Sequence, residues 1–143
     1  MLKADLQYFG GRGASSGRTY FYKGEWHVYG SEYHTILKES NIKFVVGKND
    51  SATAPRETKT EGRIYVTVNK KNELKYITFY DKSGKKSKQV DLSGNAHIIN
   101  GKKTLPHTHR GYNHEDVRNV TASEKAMVEK VKRIWNNYLS RER

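Results

Sequence analysis

The chain has 143 residues, with 27 Lys+Arg against 15 Asp+Glu, a formal net charge of +12 and 34% hydrophobic residues. That length fits one domain with a tail, and an apolar share well under the usual ~45–50% excludes a large multilayer enzyme core. Without cysteine there is no disulfide framework, no thiolate zinc site and no Cys nucleophile.

Residues 1–18 read as a flexible N-terminal arm. Gly10-Gly11-Arg12-Gly13-Ala14-Ser15-Ser16-Gly17 is a Gly/Ser-rich linker, preceded by a small apolar cluster of Leu6, Tyr8 and Phe9. Residues 19–143 then form a single domain. Thr19 to Tyr29 predicts a hairpin, with Tyr20 and Tyr22 alternating, Lys23-Gly24 as the turn, and Trp26 and Val28 alternating again. Ser31 to Glu39 predicts one or two helical turns, with Tyr33, Ile36 and Leu37 on one side. Ile42 to Val46 predicts a short strand. The polar stretch 47–61, with Pro55, reads as a long mobile loop.

The middle carries the clearest sheet signal. Arg63 to Val68 alternates, Leu74 to Tyr80 is rich in aromatic and β-branched residues, and Lys85 to Leu92 follows Asp81-Lys82-Ser83-Gly84. These three predict an antiparallel meander, with Lys86 and Lys88 at the same parity as Val90 and Leu92. Residues 93–120 show little periodicity. From Thr121 the pattern changes: Thr121-Ala122-Ser123-Glu124 fits a capping box, and Met127, Val128, Val131, Ile134, Trp135, Tyr138 and Leu139 form one apolar stripe. A stripe holding Trp135 and Tyr138 belongs against the sheet rather than in a DNA groove. The expected fold is therefore α+β, an antiparallel meander packed against a long C-terminal helix.

The charge is uneven: residues 62–110 hold 11 basic against 3 acidic side chains. Cations in that density point to a polyanion partner, RNA by preference and DNA as the alternative. No run of 18 apolar residues and no signal peptide are present, which argues against a membrane and for the cytoplasm of a host cell or a virion.

Four of the six histidines, His97, His107, His109 and His114, fall within 18 residues. If residues 107–109 are extended, His107 and His109 share a face. Three readings follow. One is metal-free phosphoryl transfer on RNA, with a neutral imidazole taking the 2′-OH proton and an imidazolium protonating the leaving oxygen. His107 and His109 would be acid and base. Arg110, Lys88 and Lys86 would hold phosphate, and Tyr112 and His114 would assist. The second is a metal site in which His-x-His combines with His114, Asp91 or Asp116. The third is a set of surface histidines with local hydrogen bonds. The first is the preferred reading, with no metal or other cofactor. His27 and His34 are read as structural. HExxH, EF-hand, Walker A and GxGxxG patterns are absent, Ser15 and Ser16 sit in the linker, and the acidic residues are too scattered for a glycosidase pair.

Asp5-Leu6-Gln7-Tyr8-Phe9-Gly10-Gly11 resembles a segment of structural proteins from phages of Gram-positive bacteria. Ile42, Glu57-Thr58, Gly62-Arg63-Ile64-Tyr65-Val66, Tyr80-Asp81-Lys82-Ser83-Gly84-Lys85, Pro106-His107-Thr108-His109 and the Glu124–Tyr138 helix resemble the C-terminal regions of Mu F-type minor head proteins and small prophage proteins. Pro106-His107-Thr108-His109, after a strand ending in Asp91-Leu92, is similar to polymorphic-toxin tips of the barnase–EndoU–colicin–RelE ribonuclease type. That resemblance implies a toxin-type ribonuclease, with an immunity protein or phage head proteins as partners. A non-enzymatic head or packaging accessory that binds DNA is the alternative.

Overall fold

In the structure, a computed structural model, residues 19–22, 25–28, 33–48, 53–94, 97–113 and 115–142 are described. The expected arm over residues 1–18 and the side chain of His114 lie outside the described residues. Strands β1 (Thr19–Tyr22) and β2 (Glu25–Val28) pair antiparallel, as the alternating aromatics predict.

The main sheet has seven strands: β3 (Tyr33–Glu39), β4 (Ile42–Gly47), β5 (Ile64–Val68), β6 (Leu74–Tyr80), β7 (Lys86–Asp91), β10 (His107–Arg110) and β11 (Asp116–Asn119). Their spatial order is β11-β10-β7-β6-β5-β4-β3. The expected meander is β5-β6-β7. Its first turn places Asn72 at φ +66°, and its second places Gly84 at +87°. Strand β4 joins β5 in parallel, so the sheet is mixed. Between β7 and β10 the chain leaves the sheet to form a small hairpin, β8 (His97–Ile99) with β9 (Lys102–Thr104).

Residues 33–39 are a strand, not helical turns. β3 pairs with β4 through a register shift between Thr35 and Leu37, and this bulge turns Ile36 and Leu37 both toward the core. The extra residue of a bulge gives a strand the 3-then-1 apolar spacing of a helix.

Helix α1 (Ala122–Arg141) lies on one face of the sheet. Its N-cap is Thr121, and the capping box with Glu124 is complete. Val128, Val131, Ile134 and Trp135 bury against Ile42, Phe44, Ile64, Val66, Val68, Ile77 and Val90. The Trp135 ring stacks on Phe44 with centroids 5.5 Å apart, and its indole N–H donates to the Asn72 carbonyl at 3.1 Å. Each such buried aromatic contributes on the order of 3 kcal/mol beside the aliphatic side chains of the same cluster.

Residues on the opposite face are also buried, but mostly polar: Tyr65, Thr67, Thr78, Gln89, His107 and His109. Part of this face is covered by residues 53–58. The Thr58 N–H donates to the Gly84 carbonyl, the Lys86 N–H donates to the Arg56 carbonyl, and the Tyr80 hydroxyl donates to the Pro55 carbonyl. No helix among the described residues is long and apolar enough to cross a membrane.

Candidate functional site

Side chains alternate along strands, so each strand of the sheet is divided between the helix face and the polar face. In β10, Thr108 points to the helix face, where its hydroxyl donates to Glu124 Oε1 at 2.8 Å. His107 and His109 therefore share the polar face. Across the ladder, His107 opposes Asp91 and His109 opposes Gln89. Asp91 Oδ2 lies 3.3 Å from His107 Nε2 and 3.4 Å from His109 Nε2. Gln89 donates to Asp91 Oδ1 at 2.9 Å and so fixes the carboxylate between the two rings.

A third imidazole completes the group. His97, at the start of β8, packs edge-on against both partners, with ring centroids 4.7 Å from His107 and 5.0 Å from His109. The His107 and His109 rings are 5.0 Å apart. His97 is exposed, His109 is 8% exposed, and His107 has no exposed surface. His107 Nδ1 donates to the Thr104 carbonyl at 2.9 Å, and its buried Nε2 makes no hydrogen bond. Burial lowers the pKa of His109 below the usual imidazole range, against the pull of Asp91, and His107, His97 and Lys86 lower it further. The His109 ring is thereby biased toward its neutral form.

Beside the histidines runs a cleft of about 260 Å³, lined by Arg56, Tyr76, Lys86, Gln89, Tyr112 and neighbouring residues. The Arg56 guanidinium lies over the Tyr112 ring at 4.3 Å and donates to Asn113 Oδ1 at 2.8 Å. Lys86 is buried. Desolvation, with Arg56 nearby, pushes its pKa down to about 8 despite Asp91. Burial, reinforced by Asp91, raises that of Tyr76, which stays protonated as a hydrogen-bond donor. A phosphate entering this cleft would meet two cations and two phenols.

The proposed phosphate ligands are thus divided between two faces. Lys86 and Tyr112 stand with the histidines. Lys88 and Arg110, which oppose each other in the ladder, do not. Lys88 Nζ is 2.7 Å from Glu124 Oε2 on the helix face, and Arg110 is paired with Asp116 at 2.6 Å. Strict alternation would have kept Lys86 with Lys88. A bulge between Phe79 and Tyr80 breaks the register, so that Lys86 opposes Tyr80 and joins the polar face. Asp116, a possible metal partner by sequence, is engaged by Arg110 at the sheet edge, whereas Asp91 sits among the histidines. His107 has no exposed surface, and His109 is 8% exposed.

The sequence reading did not assign Arg56, Tyr76 or Gln89 to the site. Arg56 lies in a polar loop without periodicity. The period-2 placement of Tyr76 and Gln89 opposite Asp91 and His109 becomes informative only once strand order is known. No family model, no curated protein and no solved structure matches this chain.

Proposed function

We propose that this protein is a phage-associated, toxin-type ribonuclease that cleaves RNA by metal-independent acid–base chemistry on the polar face of its sheet. The observation that carries the reading is a cluster of three imidazoles whose His109 opposes Gln89, a residue that lines the cleft holding Lys86 and Arg56. Neutral His109 takes the proton from a ribose 2′-OH. The oxygen attacks the adjacent phosphorus, and the leaving 5′-oxygen takes a proton donated by the exposed His97 ring, giving a 2′,3′-cyclic phosphate and a free 5′-OH. Lys86 and Arg56 balance the charge growing on the phosphoryl oxygens. His107 and Asp91 are positioning residues, packed against His109 from within the sheet. The resemblance to prophage proteins and toxin tips supports the same reading and adds an immunity protein as partner.

The test is incubation of purified protein with labelled total RNA in EDTA, beside His109→Ala. Cleavage that survives EDTA and disappears in the variant is expected. Absence of cleavage by the wild type would overturn the reading. A second reading, a head or packaging accessory that binds DNA without turnover, is favoured by the exposed Lys102 and Lys103 of β9 and Lys70 and Lys71 at the first meander turn. It predicts salt-sensitive DNA binding and no product.

A further inference from the structure

We propose that His97, His107 and His109 form a binding site for one divalent transition-metal ion of the zinc class, and that the bound ion holds the protein in a non-cleaving state. The second half rests on the acid–base reading above; the binding itself does not.

One ring nitrogen from each of the three histidines lies within 4.8 Å of the others. Imidazole-to-zinc bonds of about 2.0–2.1 Å in a tetrahedron place ligand nitrogens roughly 3.4 Å apart. Small rotations of the three rings, of which His97 is exposed, would bring the nitrogens to that spacing.

The second observation is independent of the clustering. His107 is fully buried, and its Nε2 has no hydrogen-bond partner. A buried acceptor is rarely left in that state. Its tautomer is set by the Nδ1–H bond to the Thr104 carbonyl, the backbone contact that commonly orients a metal-binding imidazole. That Nε2 faces the other two rings and the Asp91 carboxylate, whose orientation Gln89 fixes.

The donor set selects the class of ion. Three neutral nitrogens suit zinc, copper or nickel and do not suit magnesium or calcium, which take oxygen ligands. Asp91 supplies the negative charge next to the ion. Lys86, on the same face, opposes a cation and keeps the site reversible rather than structural. An ion seated on the lone pairs of His109 and His97 removes them from proton transfer.

The experiment is titration of EDTA-stripped full-length protein with zinc chloride by calorimetry, repeated with cobalt(II) and read by visible absorbance. One ion per chain is expected, with tetrahedral cobalt absorption. His97→Ala, at an exposed position, should keep the wild-type circular dichroism and bind at least tenfold more weakly. His34→Ala, on exposed β3, should bind as wild type does. Lack of uptake, or equal uptake by His97→Ala, overturns the metal site. Cleavage by the EDTA-stripped wild type, with the chelator removed, should fall with zinc at the concentration that fills the site, and undiminished cleavage at full occupancy overturns the switch. A wild type inactive in EDTA refutes the ribonuclease reading and with it the switch, while the binding result stands alone.

Discussion

Arg118 holds the Glu124 carboxylate with both ends of its guanidinium, Nη1 donating to Oε1 and Nη2 to Oε2, each at 2.8 Å. The same carboxylate accepts from Lys88 Nζ at 2.7 Å, the Thr108 hydroxyl at 2.8 Å and the Thr121 N–H at 3.0 Å. One side chain, 1% exposed, thereby caps α1 and ties it to β7, β10 and β11.

Glu124→Gln keeps the shape and the capping geometry but leaves Lys88 and Arg118 without a counter-charge at the helix face. Loss of a charge-assisted cluster of this kind costs about 2–3 kcal/mol, below the fully buried limit because water reaches both cations. Urea unfolding should show a lower midpoint with an unchanged slope. A variant within about 0.5 kcal/mol of wild type would mean that the cluster orients the helix without stabilising it.

The same carboxylate gives stability a pH dependence. Burial alone would raise its pKa. The bonds from Arg118, Lys88, Thr121 and Thr108 outweigh burial and hold the group well below the usual carboxylate range. The unfolded chain protonates it near about 4.3, so the unfolded state binds the proton first as the solution is acidified. Glu124 therefore stabilises the fold fully above about pH 5, and that contribution drains away as pH falls through the unfolded and then the folded value. The thermal midpoint of wild type should drop between about pH 5 and pH 3 more steeply than that of Glu124→Gln.

How far the sequence revealed this fold depended on whether parity survived. The meander strands and α1 were readable because alternation, turn residues, a capping box and an apolar stripe agree. Two bulges defeated the same logic. One gave Tyr33, Ile36 and Leu37 a helical spacing within a strand, and the other moved Lys86 away from Lys88. β10 was hidden for a different reason: His107-Thr108-His109-Arg110 is polar on both faces, so no apolar period marks it. The shared face of His107 and His109 followed from spacing alone. His97 belongs to the cluster by sequence, but its contact with the pair depends on a hairpin leaving and rejoining the sheet between β7 and β10. Glu124 was readable as a cap, but not as the partner of Lys88, 36 residues away.

Gly84→Ala tests whether the 53–58 segment is fixed to the sheet. Gly84 sits at φ +87°, and a Cβ there would run into the Thr58 carbonyl oxygen. That backbone clash cannot be relieved by a side-chain rotation, and positive φ adds strain. A loss of about 2 kcal/mol is expected. Because the Thr58–Gly84 hydrogen bond lies beside the one that holds Arg56 to Lys86, RNA affinity should fall along with stability. A thermal melt and a binding titration on one preparation check both; a stable variant with wild-type affinity would show the segment to be independent of the cleft.

The sharpest contrast lies between two lysines one turn of alternation apart. Lys86 faces the cleft and Lys88 faces Glu124, so the two should fail differently. Lys86→Ala should weaken RNA binding and cleavage and reduce the salt slope by roughly 0.7, the share of one phosphate contact on a single strand. Lys88→Ala should lower the unfolding midpoint and leave the salt slope as in wild type, and Arg110→Ala should leave binding unchanged. The Lys86 pKa of about 8, set by burial and Arg56, adds a check with a defined sign. Its charge is present below that value and lost above it, so wild-type affinity should decline as pH rises through about 8. Lys86→Arg, which keeps its charge, should hold its affinity over the same range. Equal losses of binding from Lys86→Ala and Lys88→Ala would place the nucleic acid somewhere other than the polar face.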